Sequence, residues 1–216
     1  MGSMDVIPEV LAKVLQNARC KHVLKNQVLL YEGDAPFEVM VVKSGIIKVH
    51  DIDDQGNEKV LHLLRSPAVF PFAFFTGNGV ATRWYYTALT DCEIYSLPQT
   101  ELRDLFLKDP ELAQYLMSWF SSEVHEILTR LSSLGKTLAR DKIAAALNFL
   151  AIWHSVERRS GWKRVTFPVS HQLLADMTGI TRESATLTMQ EFQEKHVIRT
   201  PRATILEINQ SKLAGD

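Results

Sequence analysis

The chain has 216 residues, of which 46% are hydrophobic and 23% are charged, and it contains two cysteines. This composition is typical of a soluble globular protein with one large domain or two smaller ones. It excludes a disulfide scaffold, a cysteine-rich zinc site and a four-thiolate iron–sulfur cluster, and no apolar run approaches the roughly 20 residues of a membrane span. No basic segment leads into an apolar run near the start, which predicts a cytoplasmic protein.

The two parts of the chain differ in charge. Residues 1–135 carry 12 Lys and Arg against 17 Asp and Glu, whereas residues 136–216 carry 12 against 8. A basic C-terminal part favours contact with a polyanion. A chance distribution of surface charge explains the same numbers, so charge alone does not decide.

Residues 27–97 have the pattern of short β-strands. Runs such as EVMVVKSGIIKVHDID and CEIYSL are rich in Val, Ile, Leu and Tyr, and turn formers separate them at Gly33, Gly45, Gly56 and Gly77–Gly79. Strands at this spacing predict an antiparallel, jelly-roll-like barrel, and IDDQGNEKV predicts a hairpin within it.

After Pro98 the pattern becomes helical. A short helix is predicted over residues 99–107, and Asp109-Pro110 opens a long one. Apolar residues along the long helix alternate by four and three residues, which is typical of two packed helices. The pattern favours a symmetric dimer, although burial within one chain would also explain it. The predicted dimer interface contains Met117, Phe120, Val124, Ile127, Leu131 and Leu134.

A hinge is predicted at Gly135, followed by a helix from Thr137 to Trp153 and a short strand at VTFPV. SHQLLADMTG then predicts a helix with Ser170 as N-cap and Gly179 as its stop. Finally, Val197-Ile198, a turn containing Pro201, and TILEI predict a β-hairpin, or wing.

The stretch TGITRESATLTMQEF predicts the second helix of a helix–turn–helix. Ala175 is small enough for a close helix crossing, Gly179 tolerates the turn, and Thr181 can cap the new helix. Because Ala185, Met189 and Phe192 recur at helical spacing, they are expected to face inward.

That register leaves Arg182, Glu183 and Thr186 pointing outward near the helix N-terminus. In helix–turn–helix proteins this end enters the major groove, where Arg can bond guanine and Glu can accept from cytosine. Charged residues at a helix start are also common on solvated surfaces. The spacing, the trailing hairpin and the basic C-terminal part together favour DNA binding.

This order of elements resembles the CRP/FNR superfamily of bacterial transcription regulators, most clearly at VKSGIIKVHDIDDQGNEKVL and HQLLADMTGITRES. The resemblance implies a homodimer that binds a two-fold-symmetric DNA site, contacts RNA polymerase, and responds to an effector in the barrel domain. It places Gln172, Gly179, Arg182 and Glu183 on motif positions. The predicted DNA contacts are Ser170, His171, Gln172, Thr181, Arg182, Glu183, Ser184, Thr186 and Leu187.

The chain departs from the family at its recognition helix. Family members often carry Arg-Glu-Thr-Val-Ser-Arg there, whereas this chain has Leu187 in place of the second Arg. One base contact is therefore absent, and the half-site is expected to differ. Thr188 also stands where an apolar residue is usual.

A second departure lies in the effector region. Members that bind cyclic AMP hold it with Gly-Glu and Arg-Ser pairs, but this chain has Pro71-Phe72-Ala73 and Arg83-Trp84 in the matching stretch. The resemblance therefore argues against cyclic AMP.

The same stretch is rich in aromatic residues. They predict either an apolar ligand pocket with one anchoring charge or simply barrel core. Haem is a further option within the superfamily, with His50, His62 and Cys92 as candidate ligands. The candidate effector-pocket residues are Phe70, Phe72, Phe74, Arg83, Trp84, Tyr85, Tyr86, Val124 and Leu128.

The sequence thus predicts an α+β protein and no enzymatic activity. Its parts are an effector domain at residues 4–108, a dimerisation helix and hinge at 109–135, and a winged helix–turn–helix at 136–216. The expected function is that of a DNA-binding regulator under an unidentified effector. Two alternatives are a ligand-independent regulator of the same fold and a ligand-binding interaction module that has lost specific DNA binding.

Overall fold

Two antiparallel β-sheets form the N-terminal part of the protein. The structure, a computed structural model, describes residues 7–72 and 80–213. The strands are β1 Arg19–Val23, β2 Val28–Leu30, β3 Glu38–Ser44, β4 Ile46–Ile52, β5 Glu58–Arg65, β6 Val69–Phe70, β7 Tyr85–Ala88 and β8 Cys92–Pro98. One sheet has the strand order β1-β8-β3-β6 and the other β2-β7-β4-β5, so the predicted jelly-roll-like fold is confirmed as a pair of sheets.

Apolar side chains from both sheets form one core. Met40 and Ile94 from the first sheet join Ile47 from the second, and the ring of Phe70 stacks on that of Tyr86 with centroids 5.4 Å apart. Along β4 and β7, alternate residues enter this core because successive side chains of a strand point to opposite faces. The inward set on β7 is therefore Tyr86 and Ala88.

Three helices cover the other face of the first sheet. They are α1 Glu9–Val14, α2 Gln99–Lys108 and the start of α3 Pro110–Leu134. Leu112 and Leu116 of α3 are fully buried in the cluster that contains Val39 and Val41. The Asp109 carboxylate accepts hydrogen bonds from the backbone N–H groups of Glu111 and Leu112, at 3.0 and 3.2 Å, which confirms the predicted helix start.

The C-terminal part is a three-helix core with a small sheet, whose strand order is β11-β12-β10-β9. Leu147, Leu174 and Phe192, one from each main helix, are fully buried. The elements are α4 Ala139–Trp153, β9 Ser155–Glu157, β10 Trp162–Val165, α5 His171–Thr178, α6 Arg182–Glu194, β11 Ile198–Arg202, β12 Ile205–Asn209 and α7 Gln210–Leu213.

The chain divides into two compact units. The first contains Met1–Asp51 and Leu61–Glu123, and the second contains Ile52–Val60 and Val124–Asp216. The hairpin that joins β4 to β5 therefore belongs to the same unit as α5 and α6. Its Asp53 carboxylate accepts from the N–H groups of Gln55 and Asn57, which closes the turn predicted from sequence.

Two local predictions are wrong. The strand predicted at VTFPV lies earlier in the chain, as β10 at Trp162–Val165, and shares only Val165 with the predicted segment. Lys163 and Arg164 interrupt the apolar pattern of β10, so the sequence did not indicate it. Pro201 lies within β11, and the wing turns at residues 203–204. Proline is tolerated there because β11 is an edge strand with a register shift between Arg199 and Arg202.

A glycine between β3 and β4 generates a stability prediction. Gly45 has φ +88°, and a Cβ there would overlap the Asp91 carbonyl oxygen and lie 2.6 Å from Cys92 Sγ. Gly56 has φ +82°, but a Cβ there would have no atom within 4 Å.

We expect Gly56→Ala to cost about 1–2 kcal/mol, the strain of a left-handed backbone. Gly45→Ala should cost about 1–3 kcal/mol more, because Asp91 and Cys92 must also move. Urea unfolding of both variants measures the difference. Equal destabilisation would show that the contact with Asp91 does not limit the site.

Candidate nucleic-acid interface

Helix α5 begins and ends at the predicted residues. Ser170 Oγ accepts a hydrogen bond from the N–H of Leu173 at 3.0 Å. Gly179 ends the helix in the left-handed conformation with φ 64°, and its N–H donates to the carbonyl of Ala175 at 2.8 Å. A Cβ at Gly179 would have open space, so the backbone conformation, and not crowding, favours glycine.

Helix α6 begins at Arg182, three residues after Gly179. Thr181 Oγ1 accepts from the N–H of Ser184 at 3.2 Å, which confirms the predicted cap. Glu183 lies in the first turn, where the helix dipole favours a negative charge.

The inner face of α6 is apolar, as the sequence predicts. Ala185 and Phe192 are fully buried and Met189 is 5% exposed. Ala175 of α5 is buried as well, and α5 and α6 contact each other. Two alanines, one on each helix, allow a close approach of the two backbones.

The outer face of α6 carries Arg182, Glu183 and Leu187, all of which are exposed. Thr186 is half-buried, and its Oγ1 donates to the carbonyl of Arg182 at 2.9 Å. The same oxygen lies 2.9 Å from Nδ1 of His171, which joins the start of α5 to α6. The hydroxyl of Thr186 is thus hydrogen-bonded within the domain. Its contact with His171 was not predictable from sequence spacing.

Thr188 has an explanation that the sequence alone did not supply. It is 7% exposed, and its Oγ1 donates to the carbonyl of Ser184 at 2.9 Å. Because the hydroxyl is hydrogen-bonded within the helix, the residue can replace an apolar one at little cost.

The remaining predicted DNA contacts lie at the starts of the two helices. Ser170 and Gln172 are exposed, and Gln172 Nε2 donates to Asp176 Oδ1 at 2.7 Å along α5. Thr181 is exposed and Ser184 half-buried. The helix–turn–helix therefore brings the predicted DNA contacts to two adjacent helix N-termini.

The C-terminal sheet, which includes the wing strands β11 and β12, contains a buried carboxylate between two arginines. Arg164 Nη2 lies 2.7 Å from Glu207 Oε1, and Arg199 Nε donates to Glu207 Oε2 at 2.7 Å. The Arg199 guanidinium also stacks on Trp162, 4.1 Å from its centroid. Burial raises the pKa of Glu207, but hydrogen bonds and charge from the two arginines outweigh it and leave the pKa below its usual value.

Arg130 of α3 joins three elements of the second unit. Its Nη2 donates to the carbonyl of Met177 at 2.8 Å and also to the carbonyl of Val60 in the hairpin. The guanidinium lies over Phe149, 5.8 Å from the ring centroid. Burial lowers the pKa of Arg130 to about 10, so the side chain stays charged at neutral pH and caps the C-terminal end of α5.

Four of the predicted dimer residues are exposed along α3. Met117 is 54% exposed and Leu131 60%, whereas Val124 and Ile127 are each 39% exposed. Phe120 is half-buried, and the helix ends at Leu134.

Within the described residues, the candidate effector-pocket residues differ in burial. Phe70 and Tyr86 are packed in the core, whereas Arg83 and Trp84 are exposed. Tyr85 alternates to the other face of β7 and stacks on His50, with centroids 5.4 Å apart. Val124 and Leu128 are exposed on α3, and Phe74 lies outside the described residues.

Phe72 is half-buried against the long helix. Its ring lies 6.1 Å from that of Trp119 and 6.4 Å from that of Phe120. Beside it, His62 Nε2 lies 2.7 Å from Glu123 Oε2, and both side chains are buried. These contacts were not predicted, since they join residues 47 to 61 positions apart.

The candidate haem ligands each have another partner. His50 Nε2 lies 2.9 Å from Thr87 Oγ1, His62 contacts Glu123, and the Cys92 thiol donates to the carbonyl of Ile46 at 3.5 Å. Within residues 7–72 and 80–213, no group of three or more His, Cys, Asp or Glu is placed to hold a metal ion. No helix in the described part of the chain is long and apolar enough to cross a membrane.

Two family models match the chain. The model of the cyclic nucleotide-binding domain matches residues 20–109, and that of the Crp-like helix-turn-helix domain matches residues 141–214. The two matches fall on the β-sheets and on the three-helix core, respectively.

Curated relatives are regulators. The chain is 24% identical over 175 residues to the global nitrogen regulator of Nostoc sp., covering 81% of this chain and 78% of the relative. It is 25% identical over 195 residues to the fumarate and nitrate reduction regulatory protein of Vibrio cholerae, covering 90% and 77%. Among solved structures, a cyclic nucleotide-binding domain containing protein from Listeria monocytogenes matches with a TM-score of 0.79 at 15% identity, covering 94% of this chain and 99% of that one.

The Glu207 cluster predicts a pH dependence of stability. A carboxyl whose pKa is lowered on folding stabilises the folded state above its unfolded pKa, about 4.3, and this contribution is lost as the pH falls through the folded value. Wild type should therefore be more stable than Glu207→Gln at pH 7, and the difference should shrink below about pH 4. Thermal unfolding at several pH values measures it; a difference that does not change between pH 7 and pH 3 would contradict the assignment.

Proposed function

Because the chain belongs to the CRP/FNR superfamily of transcription regulators, we propose that it acts as a homodimer that reads an inverted-repeat site in double-stranded DNA. The recognition element is α6, with Arg182 and Glu183 as its base-reading side chains. The observation that carries this proposal is the capped N-terminus of α6, where both side chains are exposed opposite a buried apolar face. In a helix–turn–helix this end of the second helix lies in the major groove.

The exposed seam on α3 supports the dimer. Met117, Val124, Ile127 and Leu131 form an apolar stripe at heptad spacing, and each is at least 39% exposed in the single chain. A parallel copy of the same helix would cover this stripe and create a two-fold axis. A two-fold axis in the protein matches an inverted repeat in DNA.

The remaining family properties are proposals of the same kind. The protein would work in the cytoplasm, contact RNA polymerase at its target promoters, and carry out no enzymatic reaction. The global nitrogen regulator and the fumarate and nitrate reduction regulatory protein are regulators by name, which supports a protein without enzymatic activity.

A ligand-independent regulator is the second candidate, and one observation favours it. Phe72, which stands where cyclic-AMP-binding members have a Gly-Glu pair, packs on Trp119 and Phe120 of α3. The buried pair of His62 and Glu123 adds a polar link between β5 and α3. In this candidate, the protein's own side chains replace an effector. Native mass spectrometry of the purified protein separates the two candidates, because an effector-bound protein would carry extra mass.

Selection of bound duplexes from a random DNA library, with no added ligand, tests the proposed function. Enrichment of an inverted repeat with half-site centres about one helical turn apart is the expected result. No enrichment, either alone or with added cell extract, would refute DNA reading.

Arg182→Ala should weaken specific binding by about 1–3 kcal/mol and relax one base position of the half-site, because a bidentate contact is lost. Arg103→Ala is the matched control, since it removes the same charge from an exposed position of α2. Repeating the DNA selection with each variant measures the base preference at each position of the half-site. An unchanged half-site in Arg182→Ala would show that Arg182 does not read a base.

Val124→Glu should dissociate the dimer, because two like charges would meet in the apolar seam. Ser122→Glu adds the same charge at an exposed position off the seam and should leave the dimer intact. Light scattering after size exclusion measures the mass of each. A dimeric Val124→Glu variant would place the interface elsewhere.

A further inference from the structure

Leu187 lies near the centre of the outward face of α6. It is 67% exposed, and the exposed residues Glu183 and Gln190 lie four positions before it and three after it. A single exposed leucine is ordinary on a protein surface. This one is different because it lies opposite the buried Ala185, Met189 and Phe192, on the face that the proposed function directs into the major groove.

The hydroxyls of Thr186 and Thr188, the two sequence neighbours of Leu187, are already hydrogen-bonded within the domain. The hydroxyl of Thr186 donates to the Arg182 carbonyl and lies 2.9 Å from His171 Nδ1. Thr188 is buried, and its hydroxyl donates to the Ser184 carbonyl. Around Leu187, the outward face therefore carries the charged Glu183, the polar Gln190 and one apolar side chain.

A leucine side chain has no hydrogen-bond donor or acceptor. The base edges of the major groove present donors, acceptors and one apolar group, the C5 methyl of thymine. Opposite guanine, leucine would shield the O6 and N7 acceptors from water without replacing their hydrogen bonds, which is unfavourable. Opposite thymine it would bury two apolar surfaces against each other.

We propose that Leu187 is a specificity-determining residue that contacts the C5 methyl of a thymine in each half-site. The inference rests on the proposed function, and it names the base at one position of the site. The protein should select T·A at that pair, where an arginine in place of Leu187 would select G·C.

The test replaces thymine by uracil, which removes only the methyl group. Duplexes of the selected sequence would carry uracil in both half-sites at the pair assigned to Leu187, and anisotropy at one fixed salt concentration would give the affinity. Loss of one buried methyl weakens binding about fourfold, so the symmetric double replacement should weaken it about tenfold or more. Uracil at thymines outside the half-sites is the matched control and should have no effect.

Two variants connect the effect to the side chain. Leu187→Ala should bind the thymine and uracil duplexes equally, and Leu187→Arg should shift the selected base from thymine to guanine. Neither substitution removes a buried group, since Leu187 is exposed.

The outcomes separate this inference from the function on which it rests. If the protein selects an inverted repeat but no thymine in it shows a methyl effect, the role of Leu187 is overturned and the DNA-reading function stands. The role is also overturned if Leu187→Ala keeps the full methyl effect. If no DNA is selected at all, both proposals fall.

Discussion

The burial of one face of α6 decides which of its side chains a partner can reach. Ala185, Met189 and Phe192 fill the core between α4, α5 and α6, and this fixes the rotation of α6 about its own axis. Since about 100° separates successive residues of a helix, Glu183 and Leu187 must then point outward. The left-handed turn at Gly179 and the Thr181 cap set where the helix begins, so the same few residues place both its face and its N-terminus.

Buried charges in the second unit hold this arrangement from distant parts of the chain. Arg130 reaches from α3 to the end of α5 and to the hairpin backbone at Val60. Glu207 joins β12 to β10 and β11 through Arg164 and Arg199. Removing both arginines would leave the Glu207 carboxylate buried without a partner, which costs far more than a surface pair contributes. Arg130 therefore connects the hairpin between β4 and β5 to α5, the helix that contacts α6.

The sequence predicted what depends on local pattern. The caps at Ser170 and Thr181, the helix start at Asp109-Pro110 and the inner face of α6 were predictable because each involves residues within about seven positions of one another. The links made by Arg130, His171 and Glu207 were not, since their partners lie 8 to 70 residues away and no local spacing marks them. Strand β10 was misplaced by a few residues because Lys163 and Arg164 interrupt its apolar pattern.

DNA reading by this protein requires that the outward face of α6 lies in the major groove. A photoreactive amino acid at Gln190, which shares that face with Glu183 and Leu187, tests this claim, with the exposed Ile152 of α4 as the matched control position. We expect efficient cross-linking to the selected half-site from position 190 and none from position 152. Cross-linking from position 152 alone, by a protein that still binds its selected site, would show that another surface of the domain meets the DNA.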